Sequence, residues 1–240
     1  MNYSGKRKSQ YVKDTFNSIA GKYDFMNSIM SLGLDKRWRK KVVEVCQVRP
    51  GMSVVDICCG TGMLTRELAE AVVPSGGVIG IDFSERMLTQ AAKNLEGYAH
   101  KDRVTFLQGD ALDLPFADNS FDGATIGWGL RNLPDASKGV LEMYRVVKPG
   151  AMVVSIDMGK TTLPIFKQLY GLYFEKLIPL MGGIWASGRD QYRYLYESAS
   201  EFYSQKELVQ IFQTCGLENC NYLNLALGAV AIVYGQKPKK

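Results

Sequence analysis

The sequence has one histidine and no long uncharged apolar run, and each shortage removes a class of function. No stretch of the 240 residues approaches the roughly 18 uncharged apolar residues that a membrane-spanning helix needs. The opening "MNYSGKRKSQ" lacks the apolar core of a secretion signal, so a cytoplasmic protein is expected. The five cysteines, Cys46, Cys58, Cys59, Cys215 and Cys220, form an odd set whose spacing matches neither a disulfide framework nor a zinc pattern. Reduced thiols and no metal are therefore expected. The lone histidine, His100, lies in the polar loop "GYAHKDR", poorly placed for a general base. Charge of one sign is also modest: 29 basic against 24 acidic residues leave +5. The excess is concentrated in "KRK" at 6–8, "DKRWRKK" at 35–41 and "KPKK" at 237–240. Such clusters read as solvated faces rather than a nucleic-acid footprint, and an anionic membrane surface is the better partner.

What is present describes a globular α/β protein. Hydrophobic residues make up 46% of the chain and charged ones 22%, an ordinary balance for one packed domain. A helical region over about 8–47, broken near Gly21 and Gly33, leads into an apolar strand from Ser53 to Ile57 and a helix from Met63 to Val73. Strands follow in "GGVIGID", "DRVTFLQGDA", "SFDGATIGWGL" and "GAMVVSID", alternating with helices in "SERMLTQAAKNLEGY" and "DASKGVLEMYRVV". Ser84 is the expected N-cap of the first of these helices. The alternation predicts a parallel sheet with helices on both faces. An aromatic, thinly charged segment at 163–185 interrupts it, read as a buried cap or as a lid admitting an apolar tail. A helix and two strands joined near Leu227–Gly228 close the sheet, the last strand antiparallel. The expected division of a single domain over 1–240 is a helical cap (1–50), a cofactor core (51–160), a lid insertion (161–200) and the closing elements (201–240).

The stretch "VVDICCGTGMLTREL", Val54 to Leu68, carries the chemistry. A dinucleotide fold would place a third glycine after Gly60 and Gly62, to let helix and strand pack closely; Thr65 stands there instead. Acidic residues end three successive strands: Asp56, Asp82 and, just beyond, Asp110. They suit a ligand with a cationic head, a ribose diol and an adenine amine but no phosphate, and S-adenosylmethionine is such a ligand. Asp82 can accept from the ribose hydroxyls, Asp110 from the adenine amine, and Asp56 can attract the ammonium and sulfonium.

With "GIDFSERML", "QGDALDLPFADNSFDGATIGWGLRNLPD" and "EMYRVVKPGA", this turn resembles the class I S-adenosylmethionine methyltransferases. More narrowly, "KYDFMN" and "GLRNLPD" resemble the menaquinone and ubiquinone biosynthesis C-methyltransferases, and the likeness runs nearly end to end. "DICCGTG" and "TIGWGLRN" are similar to the menaquinone branch. The resemblance implies a Rossmann-like fold of seven strands with N-terminal helices and a helical insertion after strand five. It also implies cofactor contacts at Asp56, Gly60, Thr61, Gly62, Asp82, Asp110, Ala111 and Gly127. Asp110 departs from the Asn usual in the family, and Met63 stands where Asp is common.

The activity so implied is C-methylation of demethylmenaquinol to menaquinol, at the inner face of the membrane. A benzoquinol of ubiquinone synthesis, or a noncatalytic cofactor-binding scaffold, are the alternatives. A quinol carbon becomes nucleophilic when an adjacent hydroxyl loses its proton, and a free phenol, pKa about 10, keeps it at neutral pH. Arg131 and Asn132, just beyond strand four, are the expected donors to the developing phenolate. Tyr192 and Tyr196 in "QYRYLYESAS" are expected to line the acceptor pocket, and Asp157 is a further pocket candidate.

Overall fold

A computed structural model of the chain describes residues 6–161, 194 and 198–239. The aromatic segment 163–185 and the expected pocket residues Tyr192 and Tyr196 lie outside the described residues. The N-terminal region forms three helices, α1 (Lys6–Ile19), α2 (Tyr23–Met30) and α3 (Asp35–Val45). The breaks fall at Gly21 and Gly33; Gly33 takes φ +75°, a left-handed conformation that costs glycine nothing.

Seven strands follow: β1 (Ser53–Ile57), β2 (Gly77–Asp82), β3 (Val104–Gln108), β4 (Phe121–Gly127), β5 (Val147–Met158), β6 (Glu218–Leu225) and β7 (Val230–Gln236). They form one sheet in the order β3-β2-β1-β4-β5-β7-β6. β1 to β5 pair in parallel, and β7 runs antiparallel to both β5 and β6. The helices between and after them are α4 (Met63–Val72), α5 (Glu85–Asn94), α6 (Ala136–Val146) and α7 (Gln205–Thr214).

Alternation along the strands divides the core in two. Val55, Ile57, Ile126 and Val153 meet α6 and α7 through Val140, Met143, Leu208 and Phe212 on one face. Val54, Val154, Ile156 and Ile232 meet α3 and α4 through Val42, Leu64 and Leu68 on the other. Each such fully buried side chain stabilises the fold by roughly 1.5–3 kcal/mol before entropy is counted, which explains the near-continuous apolar runs of the central strands. Strand order reverses at β1, between β2 and β4. A ligand crevice belongs at the carboxyl ends there.

Two boundaries near the site differ from the sequence reading. β5 begins at Val147 rather than Gly150, because a register shift after Phe121 lets Pro149 and Gly150 sit inside the strand without breaking the ladder. β4 stops at Gly127 instead of running on to Leu130: Trp128 takes φ +60° and residues Leu130–Asn132 form a 3₁₀ turn. That reversal folds Arg131 back over the strand ends. On α5, Ser84 caps as expected, its hydroxyl accepting from the Met87 N–H at 3.1 Å.

Candidate active site

The turn after β1 is built from left-handed residues: Cys58 (φ +54°), Gly60 (φ +55°) and Gly62 (φ +77°). Only glycine takes that conformation without cost, so Cys58 is strained where function tolerates strain. Gly62 also allows a close approach, since a Cβ there would meet the Phe106 ring at 2.9 Å and Ala91 Cβ at 3.1 Å. Nothing lies within 4 Å of a Cβ built on Gly60, which faces open space. Asp82 holds the turn in shape: its two oxygens accept from the Gly60 and Ser84 N–H groups, each at 2.9 Å.

Thr65 stands where a dinucleotide fold has its third glycine, and the structure gives it a task. Its hydroxyl donates to Asp56 Oδ2 at 2.6 Å, while the Thr125 hydroxyl donates to Oδ1 at 2.8 Å. Asp56 is 1% exposed, on β1 between β2 and β4. Burial pushes its carboxyl up to about 6, the two threonine hydroxyls and one Thr65 backbone bond oppose the rise, and neighbouring Asp82 adds to it. A cation placed beside Asp56 would relieve that cost.

A cavity of about 790 Å³ opens over the carboxyl ends of β1 and β4. Asp56, Gly60, Thr61, Gly127 and Arg131, all singled out from sequence, line it. Gly62, Asp82, Asp110, Ala111 and Asn132 do not; Asp82 and Asp110 sit to the β2 and β3 side, where Asp110 accepts from the Leu112 N–H at 2.9 Å. Leu64 Cδ2 would lie 3.2 Å from a Cβ on Gly127, so glycine keeps that wall thin. The remaining wall is largely apolar, with Phe16, Met26, Met30, Trp38 and Met158.

At the back of the cavity Arg131 is 7% exposed and pairs with Asp157. One guanidinium nitrogen donates to Asp157 Oδ1 at 2.6 Å and to the Trp128 carbonyl at 2.7 Å, and the Arg131 backbone N–H reaches Asp157 Oδ2 at 3.2 Å. Asn132 fixes the same corner, its amide nitrogen donating to the Trp128 carbonyl and its oxygen accepting from the Tyr194 hydroxyl at 2.9 Å. Tyr23 and Tyr194 also line the wall. Burial pushes the Tyr194 phenol up to about 12 and raises Tyr23 as well, with the Arg131 charge opposing both. Both therefore stay protonated near neutral pH and act as hydrogen-bond donors.

The sequence reading missed Tyr23, Asp24 and Tyr194. Tyr194 lies between the two tyrosines chosen, and spacing alone gives no reason to prefer it. Tyr23 and Asp24 belong to "KYDFMN", which is distinctive in sequence but carries no evident task there. The Thr61 hydroxyl donates to Asp24 Oδ1, and the Asn94 amide donates to Asp24 Oδ2 at 2.9 Å and the Thr61 carbonyl at 3.0 Å. Asp24 thus ties the N-terminal helices to the glycine turn. His100 lies away from the cavity, its ring edge-on to Tyr98 and 3.9 Å from Glu70.

The donor set fits S-adenosylmethionine: a buried carboxylate in the cavity wall, a left-handed glycine leaving space for backbone approach, and a second carboxylate ordering the turn. Solved structures with the same fold include a SAM-dependent methyltransferase from Aquifex aeolicus (TM-score 0.61, 22% identity, covering 82% of this chain and 88% of that one). Another is the Haemonchus contortus phosphoethanolamine N-methyltransferase 2 in complex with S-adenosyl-L-methionine (TM-score 0.60, 18% identity, 84% and 52%). In sequence the chain is 61% identical over 239 residues to a demethylmenaquinone methyltransferase of Desulfitobacterium hafniense, spanning 100% of this chain and 94% of the relative. It is 43% identical over 232 residues to the Bacillus cereus protein of that name, spanning 97% and 98%. The ubiE/COQ5 methyltransferase family model matches residues 4–237, and the chain belongs to that family.

Proposed function

We propose that the chain methylates a ring carbon of demethylmenaquinol, with S-adenosylmethionine as donor, giving menaquinol. The observation that carries this is one cavity in which the glycine turn and Asp56 meet an apolar chamber with Arg131 at its back. The name of the 61%-identical relative supports the acceptor. When bound, the cofactor supplies an electrophilic methyl group. Asp56, Gly60, Thr61 and Gly127 would hold its amino-acid end, and Asp82, Asp110 and Ala111 its ribose and adenine end. Arg131, immobilised by Asp157 and the Trp128 carbonyl, stabilises negative charge on the acceptor oxygen as its proton leaves. Tyr194, held by Asn132, adds a neutral donor, and the apolar walls orient the ring and exclude water. The acceptor is prenylated, so the protein works at a membrane surface. Among the described residues no helix is long and apolar enough to cross a membrane. Methyl transfer assayed with a reduced naphthoquinol, a reduced benzoquinol and no acceptor tests the proposal; preference for the benzoquinol would overturn the acceptor.

Asp82→Ala is expected to weaken S-adenosylhomocysteine binding by on the order of 1.5–3 kcal/mol, read by calorimetry. An unchanged affinity would move the ribose contact elsewhere.

The raised Asp56 pKa gives a pH dependence with a definite sign. Its folded-state pKa of about 6 exceeds the ordinary 3.8, so this group favours the folded state most below that ordinary value, and the advantage fades as pH rises through about 6. A cationic ligand favours the ionised form, so binding releases a proton wherever the free protein holds one. Affinity for S-adenosylmethionine should therefore fall as pH drops through about 6, by roughly tenfold at pH 5. Asp56→Asn should flatten the profile; an equally steep profile in that variant would assign the titration to another group.

A further inference from the structure

We infer that two exposed leucine tips at the cavity mouth, together with the basic outer face of α3, dock the protein onto an anionic lipid bilayer. The inference rests on the quinol reading and supplies the surface through which an apolar tail would leave the cavity.

Residues that both line the cavity and stand exposed mark its mouth, and these are Phe25, Ser28, Leu32, Gly33, Leu34 and Lys36. Leu32 is 80% exposed at the tip of the turn between α2 and α3, and Leu34 is 36% exposed. Across the same end of the sheet lies the 3₁₀ turn Ala226–Gly228 between β6 and β7. Ala226 lines the cavity, and Leu227 beside it is 61% exposed. Leu32 (φ +52°) and Leu227 (φ +55°) are both left-handed, a conformation that suits Gly or Asn and costs a leucine. Neither is buried among the described residues. Two strained, outward-facing leucines flanking one opening point to an apolar environment outside the protein.

The charge beside the opening selects the lipid. On α3, Lys36, Arg37 and Lys40 are exposed and have no ionic partner among the described residues, whereas Arg39 and Lys41 pair with Asp35 and Glu44. Lys36 and Lys40 lie one turn apart, with Arg37 adjacent, so the three form one cationic face next to the apolar tips. An apolar wedge with cations at its edge is the pattern that binds anionic headgroups while inserting into the acyl boundary. A prenyl tail leaving the mouth would then enter the acyl region without crossing water.

The test is sedimentation of the full chain with phosphatidylcholine vesicles containing phosphatidylglycerol, and with phosphatidylcholine alone. The native protein should partition onto the anionic vesicles, less so at high salt and on the neutral ones. Leu32→Asp, shown to be folded by its thermal melt, should lose at least about tenfold in partition. The double variant Arg37→Glu with Lys40→Glu should lose at least about 25-fold, each cation being worth roughly fivefold near the surface. That double variant should still methylate a short-tailed, water-soluble naphthoquinol at the native rate. Native-like partition by both variants, or no partition by the native chain at any salt, would overturn the docking surface. So would a native dimer that Leu32→Asp converts to monomer with no vesicle binding, which would make a second copy the occupant. Failure of the native chain on the short-tailed naphthoquinol would overturn the quinol reading instead, while the vesicle result decides the surface independently.

Discussion

Arg131→Ala is expected to turn over reduced demethylmenaquinol about 10²–10³ more slowly than the native chain, the typical loss when one preorganised donor to a developing anion is removed. The geometry adds a second consequence. Arg131 and Asp157 form a buried pair, their side chains 5% and 2% exposed, and removing one partner leaves an uncompensated charge. The same variant should therefore lose about 3–5 kcal/mol of stability. Pairing it with Asp157→Asn separates the two effects. The double variant should regain most of the stability, because no buried charge is left alone, yet stay slow. Denaturant melts give the first quantity, and turnover at saturating S-adenosylmethionine gives the second. A double variant that recovers both would make Arg131 a structural partner of Asp157 and remove it from the chemistry.

The pairing also shows where sequence reasoning ends. "GLRNLPD" places Arg131 at the strand rim, and the fifth strand places Asp157 at its end, each separately. Their contact depends on the chain reversing at Trp128, and a left-handed tryptophan has no sequence signature. The sheet is more legible, because apolar runs such as those within Ser53–Ile57 and from Met152 to Ile156 are dictated by burial on both faces. The glycine turn is legible for a similar reason, since Gly60 and Gly62 occupy conformations that few other residues accept. Asp24 is not legible: its bonds to Thr61 and Asn94 join positions 37 and 70 residues away, and only the folded chain brings them together. Thr65 shows the same limit, reading as a missing glycine until its hydroxyl is seen on Asp56.

Turnover should also depend almost completely on reduction of the acceptor: with dithionite the native chain should methylate a short-tailed demethylmenaquinol, and on the strictly oxidised quinone it should show no detectable product. The reason lies in the acceptor's electrons. A quinone ring carbon is electron-poor and cannot attack an electrophilic methyl group, whereas the quinol carbon gains density once a neighbouring hydroxyl is deprotonated. The ring carbon would then take up the methyl group as the methyl–sulfur bond breaks, its electron pair going to sulfur, and the ring proton would be lost to restore aromaticity. No electron is gained or lost overall, so reduction must come first. The cavity suits that order: Arg131 is placed to stabilise an anion, and Tyr23 and Tyr194, kept protonated with their phenols raised by burial, can donate to one. None of these groups supplies electrons. The measurement is methyl incorporation from labelled S-adenosylmethionine under anaerobic conditions, with the redox state of the acceptor followed by its absorbance. Equal incorporation into quinone and quinol would overturn the phenolate mechanism and, with it, the task assigned to Arg131.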